Sequence, residues 1–460
     1  MTNSSETAEQ AAALGTASAD EAQYSATPAI LFILYPERSA FNASFTLARR
    51  LKERGYRILY GGLEEFRDHV IAQGFHYELL EPLSPENPAD PPPRGIRRWL
   101  HYRRLIRQGR EVSEELMARC EDYLKATRPT LVLLDPIIWS YALPPLRCGV
   151  PIISFSTSLA SAFNTTVPPV FCDLPPSHSK GWKAALRHGI AWSKFIVPMW
   201  WQLHFLEPLH SLRMFLPPRS MIARIRRNGG RIRWSEYGPR LDVPELVVSP
   251  REFDFPQAAL GSRRIYVGSC VEVSRSDGAF DWSWREADKP LLYCSLGTYS
   301  HVYPHARRLF EAVIAALQRR EDMQAIVQVG SCAETDAFGA LPARIRVVKH
   351  APQIEVLARA NVFITHGGLG SVREAIYCGV PMLVFPCWND QPGNAARIVH
   401  HGLGLGGDIA TVDMSAILRL LGKIADPGFM NNIRAMQAVF RAQENCQAGV
   451  DYIEERLRAA

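Results

Sequence analysis

The sequence lacks several marks of secreted and metal-dependent proteins. Its nine cysteines are scattered and include no Cys-x-x-Cys pair, which is typical of reduced core thiols and not of a disulfide framework or a zinc site. No Asp-x-Asp sequence occurs, so a carboxylate-bound divalent ion is not indicated and we expect no metal cofactor. The first residues carry neither a basic leader nor the apolar core of a secretory signal. These absences predict a cytoplasmic protein.

The sequence also lacks an apolar run long enough to cross a bilayer, which takes about 20 residues. Its most lipophilic stretch, residues 191–218, is interrupted by Lys194, Pro198, Glu207 and Pro208. Three interpretations stay open for this stretch: an ordinary buried helix, the wall of an apolar pocket, or a segment that rests on a membrane surface. Peripheral contact with a membrane is therefore one expectation.

Charge of one sign is not in large excess. The chain has 52 Lys and Arg against 46 Asp and Glu, a net charge of +6, which does not by itself imply a nucleic-acid partner. Two basic groups lie at residues 94–110 and 224–233, but no nucleic-acid recognition motif accompanies them. We interpret them as a solvated face or as contacts for anionic lipid headgroups, and we expect no nucleic-acid partner.

The 460 residues, 47% of them hydrophobic, are enough for two or three domains. Apolar runs typical of buried parallel strands alternate with helical patterns in two successive series, and a polar region at residues 251–289 separates the series. This organisation predicts an α/β fold with two Rossmann-like, doubly wound domains that face a cleft. The predicted boundaries are a disordered tail over residues 1–27, an N-terminal domain over 28–262, a C-terminal domain over 263–425 and a helical segment over 426–460.

Nine apolar runs carry the strand predictions. They are AILFIL from residue 29, RILYGG from 57, TLVLLD from 130, PIISFS from 151, PLLYCSLG from 290, QAIVQVG from 324, IRVVKH from 345, NVFITH from 361 and PMLVFP from 381. A further glycine motif, Gly402-x-Gly404-x-x-Gly407, follows a helical pattern instead of a strand. That context is wrong for a second nucleotide site.

A glycine-rich turn follows the strand NVFIT and precedes a helical pattern. A strand that turns tightly into a helix leaves backbone N–H groups at the carboxyl edge of the sheet, where they bind phosphate. Gly368 and Gly370 let the backbone approach an anion closely, and Ser371 caps the helix or donates to a phosphoryl oxygen. The turn that begins at His366 is therefore predicted to bind phosphate.

Three polar residues after this turn are candidates for holding a sugar. Glu374 lies one helical turn beyond Ser371, where a carboxylate can accept both hydroxyls of a ribose; the alternative is that it pairs with Ser371 in a capping box. Asp390 and Gln391 follow the next strand and so lie at the same carboxyl edge. Their side chains are expected to hold sugar hydroxyls.

These residues and their spacing resemble the signature of the family 1 UDP-glycosyltransferases, which have the two-domain GT-B fold. The Asn-Asp-Gln-Pro-Gly variant from residue 389 is similar to that of bacterial carotenoid glucosyltransferases, and weaker similarity covers nearly the whole chain after residue 28. The matching positions are Pro352-Gln353, His366, Gly368, Ser371, Glu374, Gly379-Val380-Pro381, Asp390-Gln391 and Asn394.

The resemblance implies that the C-terminal domain binds a UDP-sugar, with UDP-glucose expected, and that the N-terminal domain binds a lipophilic acceptor. It implies an inverting single displacement in which the helix N-terminus stabilises the UDP leaving group. The implied donor-binding residues are Gly297 and Thr298 for phosphate or sugar, His350 and Gln353 for the base, His366, Gly368, Gly370 and Ser371 for the diphosphate, Glu374 for the ribose, and Asp390 and Gln391 for the hexose.

The acceptor side departs from the family pattern. The family has a Gly-His pair in the first loop, and its imidazole removes a proton from the acceptor. This chain has Ser39-Ala40 there, with Asn42 matching, and alanine cannot take a proton. Asp135 matches the family's carboxylate that orients the imidazole.

Several interpretations of the missing imidazole stay open. An acidic acceptor needs no base; Asp135 acts as the base, directly or through water; or His69, His101 or His301 supplies an imidazole from elsewhere. The alternative to an enzyme is a nucleotide-sugar-binding pseudoenzyme or helper subunit. We expect a UDP-hexosyltransferase with Asp135 as its catalytic residue.

Overall fold

A computed structural model of the chain describes residues 27–80, 114–176, 182–205, 219–256, 263–275 and 278–459. Residues 1–26 of the predicted tail, the basic group at 94–110, His101 and residues 206–218 of the lipophilic stretch lie outside these ranges.

The first sheet has seven parallel strands in the order β3-β2-β1-β4-β5-β8-β9. A separate antiparallel hairpin, β6-β7, accompanies it. The strands are β1 (Ala29–Ile33), β2 (Arg57–Gly62), β3 (His76–Leu79), β4 (Leu131–Leu134), β5 (Ile152–Ser156), β6 (Ile232–Ser235), β7 (Gly238–Leu241), β8 (Glu245–Val247) and β9 (Arg264–Tyr266). The order places a topological switch point between β1 and β4, where ligands bind in such sheets.

Helices cover both faces of this sheet. They are α1 (Arg38–Glu53), α2 (Arg67–Ile71), α3 (114–127), α4 (Leu143–Arg147), α5 (Trp182–Phe205) and α6 (Arg219–Arg227). In α1 the residues Phe41, Phe45, Ala48 and Leu51 are all buried, because their spacing of three to four places them on one face. This face packs into the core of the first domain.

The second sheet has six parallel strands in the order β12-β11-β10-β13-β14-β15. They are β10 (Leu291–Ser295), β11 (Gln324–Gln328), β12 (Ile345–Val348), β13 (Val362–Thr365), β14 (Met382–Val384) and β15 (Gly404–Gly406). Its switch point lies between β10 and β13. Both sheets are doubly wound, as the alternation of strands and helices predicts.

The remaining helices pack on the second sheet or return to the first. They are α7 (Ala306–Gln318), α8 (Gln353–Leu357), α9 (Leu369–Cys378), α10 (Gln391–His400), α11 (Met414–Ile424), α12 (Pro427–Ala442) and α13 (Gln447–Ala459). Helix α13 crosses back to the first domain, where Val450 and Ile453 join the core that contains Phe41 and Phe45.

All nine predicted strands are present. The strand-like run RIYVGS from residue 264 forms β9, whereas the strands β3, β8 and β15 and the hairpin β6-β7 were not predicted, because each is three or four residues long and none carries an extended apolar run. The glycine motif at residue 402 supplies β15. A β-carbon at Gly404 would collide with the carbonyl oxygen of Met382 on β14, so the glycine permits close strand pairing.

A buried ion pair joins the segment after β8 to the second domain. Arg397 on α10 donates to Asp254 Oδ1 from Nε at 2.9 Å and from Nη2 at 2.6 Å, and both side chains are nearly inaccessible. Strand β9 then adds to the first sheet, so that sheet extends past residue 262, where the sequence places the domain boundary. The chain thus crosses between the domains twice, after β9 and before α13.

Candidate functional site

The two switch points face each other across the cleft. The loop after β1 leads into α1, and the turn after β13 leads into α9. A β-carbon at Gly370, in the first turn of α9, would lie 3.6 Å from Ser39 Cβ, in the first turn of α1. The predicted donor turn and the predicted acceptor loop are therefore neighbours.

The glycines of the donor turn are needed for steric reasons. A β-carbon at Gly368 would lie 2.5 Å from His366 Nε2, and one at Gly297 would lie 2.9 Å from His366 Cε1. Gly297 and Gly367 have φ angles of 75° and 85°, which glycine adopts without strain. The imidazole of His366 thus packs between two turns whose glycines have no side chains.

His366 is held neutral. Burial lowers the pKa of its imidazole to about 4, and the Tyr303 ring lies beside it with centroids 5.6 Å apart. His366 Nδ1 is buried and has no hydrogen-bond partner. A neutral imidazole has one N–H donor, so the residue is suited to donate a hydrogen bond to a ligand and not to act as a cation.

The structure brings Gln353, Ser371 and Glu374 together beside the donor turn. Gln353 Nε2 donates to Glu374 Oε2 at 2.6 Å and to Ser371 Oγ at 3.2 Å. Helix α9 begins after Gly368, which is its N-cap residue, so Ser371 lies inside the helix. The capping-box interpretation of Ser371 and Glu374 is therefore not what the structure shows.

One partner of Glu374 was missed by sequence reasoning. Arg275 Nη1 donates to Glu374 Oε1 at 3.0 Å, and both side chains are largely buried. Arg275 lies between β9 and β10, about a hundred positions before Glu374, and no local motif marks it. A carboxylate oxygen accepts more than one hydrogen bond, so Glu374 has capacity left for ribose hydroxyls.

Asp390 and Gln391 have different surroundings. Gln391 Oε1 accepts the backbone N–H groups of Cys387 and Trp388 at 2.8 and 3.2 Å, and its Nε2 donates to Tyr303 Oη at 3.3 Å. These hydrogen bonds from Cys387 and Trp388 to Gln391 stabilise the turn before α10. Asp390 accepts from Asn394 Nδ2 at 3.2 Å, and burial raises the pKa of Asp390.

The other predicted donor residues lie at the open edge of the second sheet. Thr298 follows β10 and His350 follows β12, and both are exposed. Gln353 opens α8, two residues after the buried Ala351. The carboxyl ends of β10, β12 and β13 therefore carry all of these side chains at one edge.

Asp135 lies in the wall of a pocket at the other switch point. The pocket, about 280 Å³ when the space open to solvent is included, is lined by Asp135, Pro136, Ile137, Ser156, Thr157, Ser158, Ala160, Ser235, Tyr237 and Arg240. Asp135 Oδ1 accepts the Ile137 N–H at 2.9 Å, and Oδ2 is buried without a partner. Burial raises the pKa of Asp135 to about 7.

Of the three candidate histidines, the described residues include His69 and His301. Ala40 is buried in the core of the first domain. His69 Nε2 lies 2.7 Å from Asn42 Oδ1 and its ring packs on Phe45, so it is a structural partner of α1. His301 is exposed in the second domain.

A carboxylate that sequence reasoning missed lies in the same loop. Glu37 is the N-cap residue of α1, and burial together with the charge of Asp390 raises the pKa of Glu37 to about 7. The sequence feature that could have identified Glu37 is its position, three residues before Ala40.

The described ranges contain neither a metal-binding cluster nor a membrane-spanning helix. Within those ranges no cluster of three or more His, Cys, Asp or Glu side chains is placed to hold a metal ion. None of the described helices is long and apolar enough to span a membrane.

Comparisons with known proteins agree with this geometry. The family of UDP-glucoronosyl and UDP-glucosyl transferases matches residues 254–445. Zeaxanthin glucosyltransferase of Pantoea ananas is 24% identical over 433 residues, which are 91% of this chain and 94% of that protein. Oleandomycin glycosyltransferase of Streptomyces antibioticus is 26% identical over 426 residues, 91% of this chain and 88% of that protein.

Solved structures show the same fold. The glycotransferase of kitacinnamycin superposes with a TM-score of 0.65 at 22% identity and covers 94% of this chain and 99% of its own. The calicheamicin glycosyltransferase gives a TM-score of 0.65 at 19% identity, with 94% and 98% of the two chains covered. The predicted two-domain fold, with doubly wound sheets on both sides of a cleft, is confirmed.

Proposed function

We propose that the chain is a UDP-glycosyltransferase of GT-B fold and that it transfers glucose from UDP-glucose to a lipophilic acceptor with inversion at the anomeric carbon. The similarity to zeaxanthin glucosyltransferase supports both the sugar and the lipophilic acceptor. The proposed inversion is a single displacement, in which the acceptor oxygen attacks the face opposite to UDP.

The observation that carries this proposal is the turn between β13 and α9. Gly297, Gly367 and Gly368 keep side chains away from the backbone, and the neutral His366 lies against them. Free N–H groups at the start of α9 and its dipole favour a diphosphate there. Glu374 and Gln353, which are hydrogen-bonded to each other beside this turn, are the proposed partners of the ribose and the base.

We expect His366→Ala and Glu374→Ala each to weaken UDP binding by roughly 10- to 100-fold, because each removes hydrogen bonds that involve a charged partner. Isothermal titration calorimetry with UDP measures this loss. His301→Ala, which changes an exposed imidazole in the same domain, is the matched control and should keep the affinity. Unchanged affinity in both test variants would show that the donor site is elsewhere.

Transfer itself is tested with UDP-glucose and a panel of lipophilic alcohols and phenols. We propose that Asp135 is required for it and that no metal ion takes part, so a chelator should leave the rate unchanged. A protein that binds UDP yet forms no glycoside and does not hydrolyse UDP-glucose would be a helper subunit, which is the alternative function.

We further propose that α5 brings the enzyme to lipid surfaces. Six large apolar side chains on this helix are between 42% and 72% exposed: Trp182, Leu186, Ile190, Val197, Trp200 and Trp201. The spacing of most of them is about four residues, so they form one stripe. The helix contains Lys183, Arg187 and Lys194 but no Asp or Glu, a combination typical of helices that bind anionic membranes.

Cosedimentation with vesicles tests this contact. We expect binding to phosphatidylglycerol vesicles that weakens in high salt, and little binding to phosphatidylcholine. Leu186→Glu and Val197→Glu should each lower the bound fraction by about tenfold, since each loses the burial of an aliphatic side chain. Ile71→Glu, an equally exposed site on α2, is the control, and equal sedimentation of all variants would contradict the proposal.

A further inference from the structure

The loop between β1 and α1 contains a carboxylate that does not cap the helix it precedes. Glu37 is the N-cap residue of α1, and its carbonyl oxygen accepts the N–H groups of Ala40 and Phe41 at 2.9 and 3.4 Å. Its side chain makes no capping hydrogen bond, although N-cap side chains commonly do. The Glu37 carboxyl group is therefore available for another role.

The charge of Glu37 interacts with residues of the second domain. The charge of Asp390 raises the pKa of Glu37, and the charge of Glu37 in turn contributes to raising the pKa values of Tyr299 and Tyr303, whose largest cause is burial. These three residues all belong to the second domain. Tyr303 packs against His366 and against Trp388, so Glu37 lies beside the predicted hexose and diphosphate positions.

The backbone geometry agrees with this placement. The first turn of α1 meets the first turn of α9, where a β-carbon at Gly370 would lie 3.6 Å from Ser39 Cβ. A group at position 37 thus lies next to the turn that is proposed to hold the leaving diphosphate. The anomeric carbon of a bound donor must lie between that diphosphate and the hexose-binding residues.

The two other carboxylates of the first domain with raised pKa values are less suited to meet an acceptor. Asp135 and Glu236 are 1% and 2% exposed. Oδ1 of Asp135 holds the Ile137 N–H, and Oε1 of Glu236 holds the N–H groups of Ser161 and Val170. Glu37 is only partly buried. Among these three carboxylates it alone is partly exposed and makes no capping hydrogen bond; its side-chain hydrogen-bond partner is Ser39.

We propose that Glu37 is the general base of the reaction, in place of the imidazole that this chain lacks at Ala40. This inference rests on the proposed function. As the acceptor oxygen forms its bond to the anomeric carbon, its proton moves to a Glu37 oxygen. The bond from the anomeric carbon to the β-phosphate oxygen breaks at the same time, and its electron pair leaves with UDP. Glu37 afterwards returns the proton to water.

The electrostatic surroundings suit this task. A general base works best when its pKa is near the operating pH. Burial and the charge of Asp390 raise the pKa of Glu37 to about 7, against the lowering effect of the Ser39 side chain. The other titratable groups that interact with Glu37 are Tyr35, Asp135, Tyr299 and Tyr303, and none of them is a cation that would counter the shift.

The test compares an alcohol with an acidic phenol as acceptors for Glu37→Gln, using 1-decanol and 4-nitrophenol with UDP-glucose at about pH 8. An aliphatic alcohol needs a base and a largely ionised phenol does not. We expect kcat/KM for 1-decanol to fall by roughly 10²- to 10⁴-fold and that for 4-nitrophenol to stay within about threefold, a factor far smaller than the loss of a base. In the unaltered protein, kcat/KM for 1-decanol should rise with pH and level off above about 7.

Two controls accompany this test, and two outcomes would contradict it. Glu65→Gln removes an exposed carboxylate whose charge reaches the same Tyr299, and it should keep both activities. UDP affinity should be unchanged in Glu37→Gln, which shows that the variant is folded. Transfer to 1-decanol at an unaltered rate by Glu37→Gln would overturn this inference alone. No transfer by the unaltered protein to either acceptor would overturn the proposed function and this inference with it.

Discussion

Asp135→Asn is expected to lower transfer to an alcohol by on the order of 10²- to 10⁴-fold, the range of a lost catalytic carboxylate, while UDP affinity stays unchanged. Asn keeps the acceptor for the Ile137 N–H, because Asn and Asp serve equally well at N-cap positions. The substitution removes the charge and little else. Initial-rate measurements with UDP-glucose, together with calorimetry for UDP, check this expectation.

The stability of the same variant distinguishes lost chemistry from lost folding. Burial raises the pKa of Asp135 to about 7, whereas an unfolded Asp titrates near pH 4. The folded protein therefore binds more protons in this window, and the contribution of Asp135 to stability is lost as the pH rises from about 4 to about 7. Above pH 7 the Asn variant should melt no lower than the unaltered protein. Retained transfer would show that Asp135 is dispensable.

The roles of Asp135 and Glu37 can be distinguished with a variant that carries both substitutions. If Asp135 acts through the loop that holds Glu37, the double variant should be no slower than the slower single variant. The reason is that the rate losses caused by substituting residues that act as a unit do not add. If the two carboxylates act independently, the losses in kcat/KM should multiply. The expectation here is the first outcome, since the Asp135 side chain is 1% exposed.

The donor half was predictable because its chemistry is local in the sequence. A phosphate-binding turn needs a strand, glycines and a helix N-terminus in immediate succession, and residues 361–378 supply all three. The contacts that hold His366 could be predicted from the sequence only in part. Gly368 is close to His366 in the chain, whereas Gly297 follows a different strand. Contacts between residues that follow different strands depend on the order of the strands in the sheet, which the sequence patterns do not reveal.

The partners of the site that come from distant segments were not predictable. Arg275 reaches Glu374 from the region between the domains, and a lone arginine in a polar segment carries no periodic or motif signal. Glu37 was not predictable for a different reason, because the family resemblance concerns position 40 and assigns no role to position 37. Its chemical character depends on Asp390 across the cleft, and no pattern within the loop encodes that neighbour.

Removing the buried ion pair between the domains should have the largest effect on stability. Arg397 is 2% exposed and its guanidinium lies over the Phe255 ring, 4.2 Å from the centroid. Asp254 accepts two of its hydrogen bonds, and Tyr266 Oη donates to Asp254 Oδ2 at 2.6 Å. Asp254→Ala leaves a buried guanidinium without its carboxylate, which typically costs about 3–5 kcal/mol.

Urea unfolding at neutral pH measures the free-energy loss in Asp254→Ala. Although burial acts in the opposite direction, Arg397 and Arg264 hold the pKa of Asp254 below its usual value, so the pair stabilises the fold above about pH 4 and its contribution fades as the pH falls through the lowered pKa. The difference between variant and unaltered protein should therefore shrink in acid. The control is Asp322→Ala, which breaks an exposed pair with Arg320 and should cost under about 1 kcal/mol; equal losses in the two variants would contradict a structural role for Asp254.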